Sequence, residues 1–427
     1  MSGLEPPVGG GVGMGLRRGA TAAPEEQTVE NATDPPEDRP TEAEVLATVV
    51  AAESVLSKRF GARIQLGEPE DLGGSDRSVV LRVRVAASPF SLPKTLAVKR
   101  YVPTGAAPRD SWVREAVSYQ MFNALAAEDR MCPELFAHDG DAGLLVMEDL
   151  GRAPTLADKL HGTDSRAAEA ALLSWARSLG RLHATTAGRE ADFDALLRRL
   201  NPPTNKDPLA EDGPIAIADL PRLLLSEFGV ATPDEVIGHA ANTLGLLDHA
   251  RHRAFSPSDT CPDNNLITSR GVRFLDFEGG CVRNMMFDAA AIAVPFPSCW
   301  CAFALPPGMV EAMIAAWRAE VRAMWPDLAE DAVLLPRLLD AHLFWVWLAT
   351  WRHLTDPAGA RVTSRHSGPV PDQGPLLAAR WTGLATAAHR GGADHIAEHA
   401  ITIARTLRDR YGDKPLPLYP AFNTTRF

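Results

Sequence analysis

The feature that most constrains this 427-residue chain is a change of hydrophobic period part-way along it. Residues 63–66, 78–85 and 95–101 are short apolar or β-branched segments. The second of them, Ser78-Val79-Val80-Leu81-Arg82-Val83-Arg84-Val85, ends by alternating apolar with basic side chains. Segments of this kind suit strands with a buried face. A helical pattern over 110–127 and a buried strand over 143–147 come next. From there the apolar spacing is helical, over 167–185, 308–326, 331–355 and 375–410. One helix precedes the strands: Thr41-Glu42-Ala43-Glu44 has the form of a capping box, and Val45, Val49, Val50 and Leu56 follow at helical spacing. A strand-rich opening followed by a mainly helical remainder predicts an α+β chain of two lobes, a small N-terminal β-rich lobe and a larger, mainly helical C-terminal lobe.

Composition sets the limits of that picture. Residues 1–40 are dominated by Gly, Pro, Ala and acidic side chains, too little apolar surface to offset the entropy of ordering, so a disordered tail is expected there. The N-terminal lobe is then expected over 41–146, a connector over 147–151 and the C-terminal lobe over 152–427. Residues 201–235 are rich in Pro, Asp and Gly around one apolar run at 220–228, the composition of an insertion or lid-like excursion. A Pro/Gly/Ser segment over 356–375 separates the last two helical patterns, and no internal repeat occurs. The formal charge of −11 argues against nucleic acid or an anionic membrane surface as partner; it fits a cationic small substrate or plain solubility. No apolar run near 18 residues is evident and no apolar leader opens the chain, so no membrane span is expected. Five cysteines, Cys132, Cys261, Cys281, Cys299 and Cys301, form no disulfide framework, and Cys299-Trp300-Cys301 lacks the second pair a zinc site needs. A reduced, cytoplasmic protein is the expectation.

The residues that carry chemistry fall into two groups. In the first, Lys99 closes Leu96-Ala97-Val98-Lys99, a rigid strand that would aim an ammonium into a cleft. Glu115 lies early in the helix containing Trp112-Val113-Arg114-Glu115-Ala116-Val117-Ser118-Tyr119. Upstream, Leu72-Gly73-Gly74-Ser75-Asp76-Arg77-Ser78 joins two strands, and its backbone N–H groups suit either phosphate or an ordinary hairpin turn. It is neither a G-x-G-x-x-G loop nor a Walker A motif. Met147-Glu148-Asp149-Leu150-Gly151 ends a buried strand. The second group is Ser258-Asp259-Thr260-Cys261-Pro262-Asp263-Asn264-Asn265-Leu266-Ile267 and then Val272-Arg273-Phe274-Leu275-Asp276-Phe277-Glu278. Phosphoryl transfer needs a carboxylate near the acceptor hydroxyl and oxygen ligands for a metal that bridges phosphates. An Asp, an Asn five residues later, a short hairpin and a second Asp supply these. Surface turns are also rich in Asp, Pro and Asn, but here Leu266-Ile267 and Phe274-Leu275 flank the polar groups closely, which a solvated turn has no reason to do.

Lys99 in its strand resembles the V-A-I-K strand of protein kinases. With the M-E-D-L-G segment, Asp259 to Asn264 and Asp276-Phe277-Glu278, the chain from about residue 65 to 295 resembles the aminoglycoside-phosphotransferase and choline-kinase-like superfamily. The resemblance implies a protein-kinase-like fold and ATP and Mg²⁺ as cofactors. It implies that Lys99, oriented by Glu115, contacts the phosphates, that Gly73, Gly74 and Ser75 cover the nucleotide, and that Met147, Glu148 and Asp149 meet the adenine through their backbone. Asp259 aligns with the catalytic base, and Asn264 and Asp276 with the metal ligands. Glu278 would be a further metal or outer group, and Asn265 replaces Asn264 if the register slips by one. Phe287-Asp288-Ala289-Ala290 matches a segment whose Asp braces the catalytic loop, a role compatible with capping a helix, while His183 is read as structural. One departure stands out: the family's His-Gly before the base is Pro257-Ser258 here. The implied activity is transfer of the γ-phosphoryl group to a hydroxyl of a small molecule, an amino-alcohol or aminoglycoside-like compound. Two alternatives stay open, a kinase-like protein that binds nucleotide or a partner without turnover, and a kinase of peptide hydroxyls. Acceptor choice is expected to lie in 201–235 and 300–390, where Trp300, Trp345, Trp347, Trp351 and Arg352 either line a pocket or belong to the core.

Overall fold

The computed structural model describes residues 39–74, 77–102, 108–200, 207–294, 296–297, 299, 302–356 and 370–423. The expected tail, save its last two residues, lies outside these, as do Ser75, Trp300 and Cys301.

The capping box forms as the sequence indicates. The Thr41 side chain accepts from the Glu44 amide while the Glu44 carboxylate accepts from the Thr41 amide, and this starts helix α1 (Glu42–Phe60). Gly61, at φ 70°, ends it in the left-handed region. Five antiparallel strands follow: β1 (Gln65–Asp71), β2 (Ser78–Ala87), β3 (Thr95–Tyr101), β4 (Leu135–Asp139) and β5 (Leu144–Glu148). Their order in the sheet is β1-β2-β3-β5-β4, and helix α2 (Pro108–Asn123) connects β3 to β4. Side-chain alternation divides the sheet between two cores. Leu81, Val83, Leu96, Val98 and Val146 join α1 in a small apolar cluster. Tyr101, Leu145 and Met147 join α2 in a much larger one that continues into the helical lobe. The connector expected at 147–151 therefore begins inside β5, and no break in the core marks the boundary.

The C-terminal lobe opens with α3 (Leu156–His161), α4 (Ser165–Thr186), α5 (Glu190–Leu200), α6 (Pro208–Phe228), α7 (Asp234–Thr243) and α8 (Gly245–Asp248). Four short strands make two antiparallel pairs: β6 (Arg253–Ser256) with β9 (Cys281–Asn284), and between them the hairpin of β7 (Asn265–Thr268) with β8 (Gly271–Phe274). The lobe closes with α9 (Met286–Ala293), α10 (Met309–Val321), α11 (Asp331–Thr355), α12 (Gln373–Arg390) and α13 (Asp394–Tyr411).

Four expectations are corrected here. Residues 208–228 are not an excursion but a 21-residue helix that tolerates Pro214 and Pro221. Its Leu209, Ala216, Ile217, Leu220 and Leu224 are buried at helical spacing, and tertiary packing outweighs the proline penalty. The pattern over 375–410 is two helices, broken at Gly391-Gly392, where Gly392 has φ 71°. Helix α11 carries an 18-residue window of mean hydropathy 1.4, long and apolar enough to cross a membrane, but 67% of that window is buried inside the lobe. Its Trp345 and Trp347 are core residues: their indoles donate to the Phe287 carbonyl at 2.7 Å and the Ala216 carbonyl at 3.0 Å. Lastly, the cysteines are not all free. Cys261 and Cys299 form a disulfide with Cα atoms 5.3 Å apart, and Cys132 and Cys281 are buried thiols.

Candidate active site

A cleft of about 380 Å³ runs between the sheet and the first part of the C-terminal lobe. Leu72, Val80 and Ala97 wall it from the N-terminal lobe, Leu266 and Leu275 from the other side, and Met147 stands at the strand that links them. An apolar slot with two walls suits a flat ring system. Its polar end holds Lys99, Glu115 and Asp276.

Lys99 reaches this end because β3 pairs with both β2 and β5, opposite Val80 and Leu145, so its backbone is held on either side. Its Nζ lies 2.8 Å from Glu115 Oε2 and 2.5 Å from Asp276 Oδ1. Lys99 and Glu115 are 5% and 1% exposed, so this is a buried pair rather than a solvated edge contact. Burial alone would push the Lys99 ammonium down, but Asp276 and Glu115 more than offset it and hold the group up at about 12. Tyr101 donates its hydroxyl to Glu115 Oε2 and presents its ring 5.0 Å from the Lys99 ammonium. The sequence reading missed Tyr101, although it lies two residues after Lys99 and therefore on the same strand face.

Asp259 lies in the loop after β6. Its Oδ1 accepts from the Cys261 amide at 3.0 Å and its Oδ2 from Asn264 Nδ2 at 3.0 Å. With Nδ2 so engaged, Oδ1 is the Asn264 atom available to a hard cation. The β7–β8 hairpin brings Asp276 back to the same place, through a bond from the Leu275 amide to the Asn264 carbonyl at 2.8 Å. Asp276 and Ser258 both have positive φ, 61° and 66°, so non-glycine residues take left-handed backbone on both sides of the site. Asn265 is excluded as the alternative to Asn264. It is 1% exposed, its Oδ1 accepts from Trp175 and its Nδ2 donates to the Cys261 carbonyl at 2.6 Å. Glu278 pairs with Arg77 at 3.1 Å, tying the Asp276 segment to the Gly73-Gly74 turn. Burial and the charge of Asp276 raise its pKa.

Among the described residues no three His, Cys, Asp or Glu side chains converge as a protein-only metal cage. Asp276 lines the cleft, the hairpin ties the residue before it to Asn264, and Glu278 follows two residues on; all three offer oxygen donors. This fits a hard divalent cation that completes its shell with phosphate and water.

The Gly73-Gly74 turn needs its glycines. Gly73 has φ 83°, and a Cβ on Gly74 would lie 2.0 Å from the Ser78 carbonyl oxygen. Neither lines the cleft, which Leu72 does. In the connector, Met147, Glu148 and Asp149 all border the cleft, but the acidic side chains are structural. Arg82 holds Asp149 through two bonds of 2.8 and 3.0 Å, and Arg270 pairs with Glu148 at 3.2 Å.

The departure before Asp259 has its own structural answer. Ser256, at the end of β6, donates to Asp288 Oδ1 at 2.8 Å and accepts from the Ser258 amide at 3.0 Å. Asp288 is no helix cap. It lies within α9, 1% exposed, where Arg283 reaches its Oδ1 and His183 Nε2 its Oδ2, each at 3.1 Å. Trp317 donates to His183 Nδ1 at 3.0 Å, so the hydrogen on His183 is on Nε2 and points at Asp288. Burial would raise the Asp288 carboxyl, but Arg283, His183 and Ser256 hold it below the usual range. His183 is thus part of a hydrogen-bonded chain that ends at the loop carrying Asp259.

No family model and no curated protein matches this chain. Solved structures do. A choline/ethanolamine kinase family protein from Mesorhizobium loti is 15% identical with a TM-score of 0.43, over 78% of this chain and 93% of that one. The Plasmodium vivax ethanolamine kinase is 12% identical with a TM-score of 0.42, over 75% and 82%. An ADP-bound aminoglycoside phosphotransferase is 14% identical with a TM-score of 0.40, over 82% and 97%. At these scores no role passes from those proteins to this one, and function is argued from the residues above.

Proposed function

We infer that this protein is an ATP-dependent phosphotransferase that moves the γ-phosphoryl group to a hydroxyl of a small molecule. The observation that carries the reading is the Lys99 ammonium held between Glu115 and Asp276, at the end of an apolar cleft that Asp263 also lines, next in the chain to the Asn264 that is bonded to Asp259. A binding module needs the slot and a cation; it has no use for a carboxylate braced beside them.

In this reading the adenine fills the slot between Val80, Ala97 and Leu266, and Lys99 takes the phosphates. Its raised pKa keeps it an ammonium at neutral pH, and Glu115, fixed by Tyr101, keeps it extended. Asn264 and Asp276 would hold a divalent cation, Mg²⁺ by the hardness of their oxygens, and that cation supplies charge to offset the phosphate oxygens. Asp259, positioned by the bonds from the Cys261 amide and Asn264 Nδ2, orients the acceptor hydroxyl and takes its proton as the oxygen bonds to the γ-phosphorus and ADP leaves. The acceptor falls to the helical lobe. Arg352, paired with Asp212 at 2.6 Å, and Trp351, which donates to Asp219, remain candidates for contacting it, while Trp345 and Trp347 are not.

The test is an ATP-consumption screen against pooled amino-alcohols, aminoglycosides, sugars and nucleosides, with Asp259→Ala as the blank. The variant should lose transfer and keep Mg·ATP affinity within a few fold; unchanged turnover sinks the assignment of the base.

A further inference from the structure

A second cavity, of about 1010 Å³, shares no lining residue with the nucleotide cleft. It lies among α10, α11 and α12 and the loop entering α10. Leu305, Val310, Ile314, Leu335, Leu338 and Leu339 make its walls apolar, and Leu335 is left 47% exposed. Two polar groups of this cavity lack partners. His342 is 3% exposed and its Nε2 is buried without a hydrogen bond. Burial pushes it down to about 4, so at neutral pH it is an uncharged imidazole. At the mouth, Arg318 pairs with Asp331 at 2.6 Å and Arg390 with Glu311 at 2.9 Å. Arg322, exposed on the same rim, has no carboxylate partner among the described residues.

We propose that this cavity binds a small apolar molecule bearing a single carboxylate, its body against the leucine wall and its carboxylate at Arg322. The volume is at the upper end of what drug-sized ligands occupy. A cation would meet three arginines against two carboxylates, and a polyanion would have to lose hydration against leucine. An uncharged apolar molecule would fill the walls and ignore the one unpaired charge. The site also touches the catalytic machinery through one helix. Trp317, beside Arg318 on α10, donates to His183, which reaches Ser256 through Asp288. A ligand that moves α10 therefore bears on the loop of Asp259; that consequence rests on the phosphotransferase reading, whereas binding does not.

The experiment uses the full chain, anilinonaphthalene sulfonate as a fluorescent apolar anion and decanoate as competitor. Dye fluorescence should rise to saturation at a single site, decanoate should displace it, and Mg·ATP should not. Decanol, with the same chain and no carboxylate, should compete at least several-fold less well. Arg322→Glu, an exposed change that leaves the melting temperature in place, should weaken decanoate about fivefold or more. Leu338→Trp should fill the cavity and abolish binding, and the Arg322 variant decides the matter if the tryptophan does not fold. Displacement by Mg·ATP, equal competition by decanol, or decanoate affinity untouched by Arg322→Glu overturns the proposal. None of these readouts uses phosphoryl transfer, so either reading can fail without the other.

Discussion

Replacing Ser256 by alanine removes one hydroxyl that does two things, donating to the buried Asp288 carboxylate and accepting from the Ser258 amide. A hydrogen bond to a charged group contributes about 1.5–3 kcal/mol, and a buried amide left without a partner costs about 1–3 kcal/mol. Arg283 and His183 still serve Asp288, and Ser258 is only half-buried, which brings the expected loss toward the lower end. Ser256→Ala should therefore lose about 2–3 kcal/mol of stability, read as a lower urea midpoint at unchanged slope. The effect on chemistry should be larger than on binding. Ser258 sits at φ 66° immediately before Asp259, and the Ser256 hydroxyl restrains it from the upstream side. Turnover should fall well below wild type while the melting-temperature rise given by saturating Mg·ATP stays within error, because no atom of Ser256 borders the nucleotide cleft. Ser256→Cys, nearly isosteric with a weak donor, should fall between. A loss under about 0.5 kcal/mol with full turnover would refute the argument that this serine replaces the missing His-Gly.

Three further outcomes follow from the site and its surroundings. Asp276→Ala should erase the difference between Mg·ATP and ATP alone in a thermal-shift titration; a surviving difference moves the metal site elsewhere. Glu115→Gln leaves the buried Lys99 with one carboxylate fewer, and should raise the KM for ATP and cost about 3 kcal/mol in urea unfolding, whereas a variant as stable as wild type would mean the pair is not buried in solution. Stability should decline as pH falls from about 6.5 to 4, because the unfolded chain takes up a proton on His342 that the folded chain, held near 4, refuses. Below that range the folded imidazole protonates too and the slope ends. The drop is about 3 kcal/mol for this group, and His342→Leu should remove that share, leaving what His399, also held near 4, and the other histidines lowered by burial contribute. A pH profile identical in the variant would remove His342 from the account.

The parts of this protein that sequence alone reveals are those written in one stretch of chain. Lys99 is bracketed by its own strand, Asp259 and Asn264 are five residues apart, and a hairpin returns Asp276 beside them, so period and spacing suffice. Thr41 and Glu44 show the same locality at the first helix. What stayed hidden depends on partners far apart. Nothing in Pro208–Phe228 announces a helix through two internal prolines until α11 packs along it, with Trp347 donating to the Ala216 carbonyl. The pairing of Cys261 with Cys299 spans 38 residues and leaves no spacing signature. Arg82 engages Asp149 across 67 residues, which turns an acidic side chain that reads as a ligand contact into a strut.

The stretch before Asp259 shows why an apparent defect in a motif need not be one. Read along the chain, Pro257-Ser258 removes an imidazole and a glycine at the point where support for Asp259 is expected. Read across the fold, an imidazole is still present. His183 comes from α4, fixed in one tautomer by Trp317, and delivers its hydrogen to Asp288. Asp288 is held ionised by Arg283, and Ser256 carries the last link to the Ser258 amide. Non-glycine backbone at φ 66° costs on the order of 1–3 kcal/mol, a strain that a loop held only by solvent would release. Its persistence at Ser258 needs restraint on both sides. Ser256 gives it upstream, and the Asp259 bonds to Cys261 and Asn264 give it downstream, where the Cys261–Cys299 disulfide anchors the loop to the rest of the lobe. Support for the Asp259 loop reaches it through a relay of four elements, and that relay runs along the same α10 that walls the second cavity.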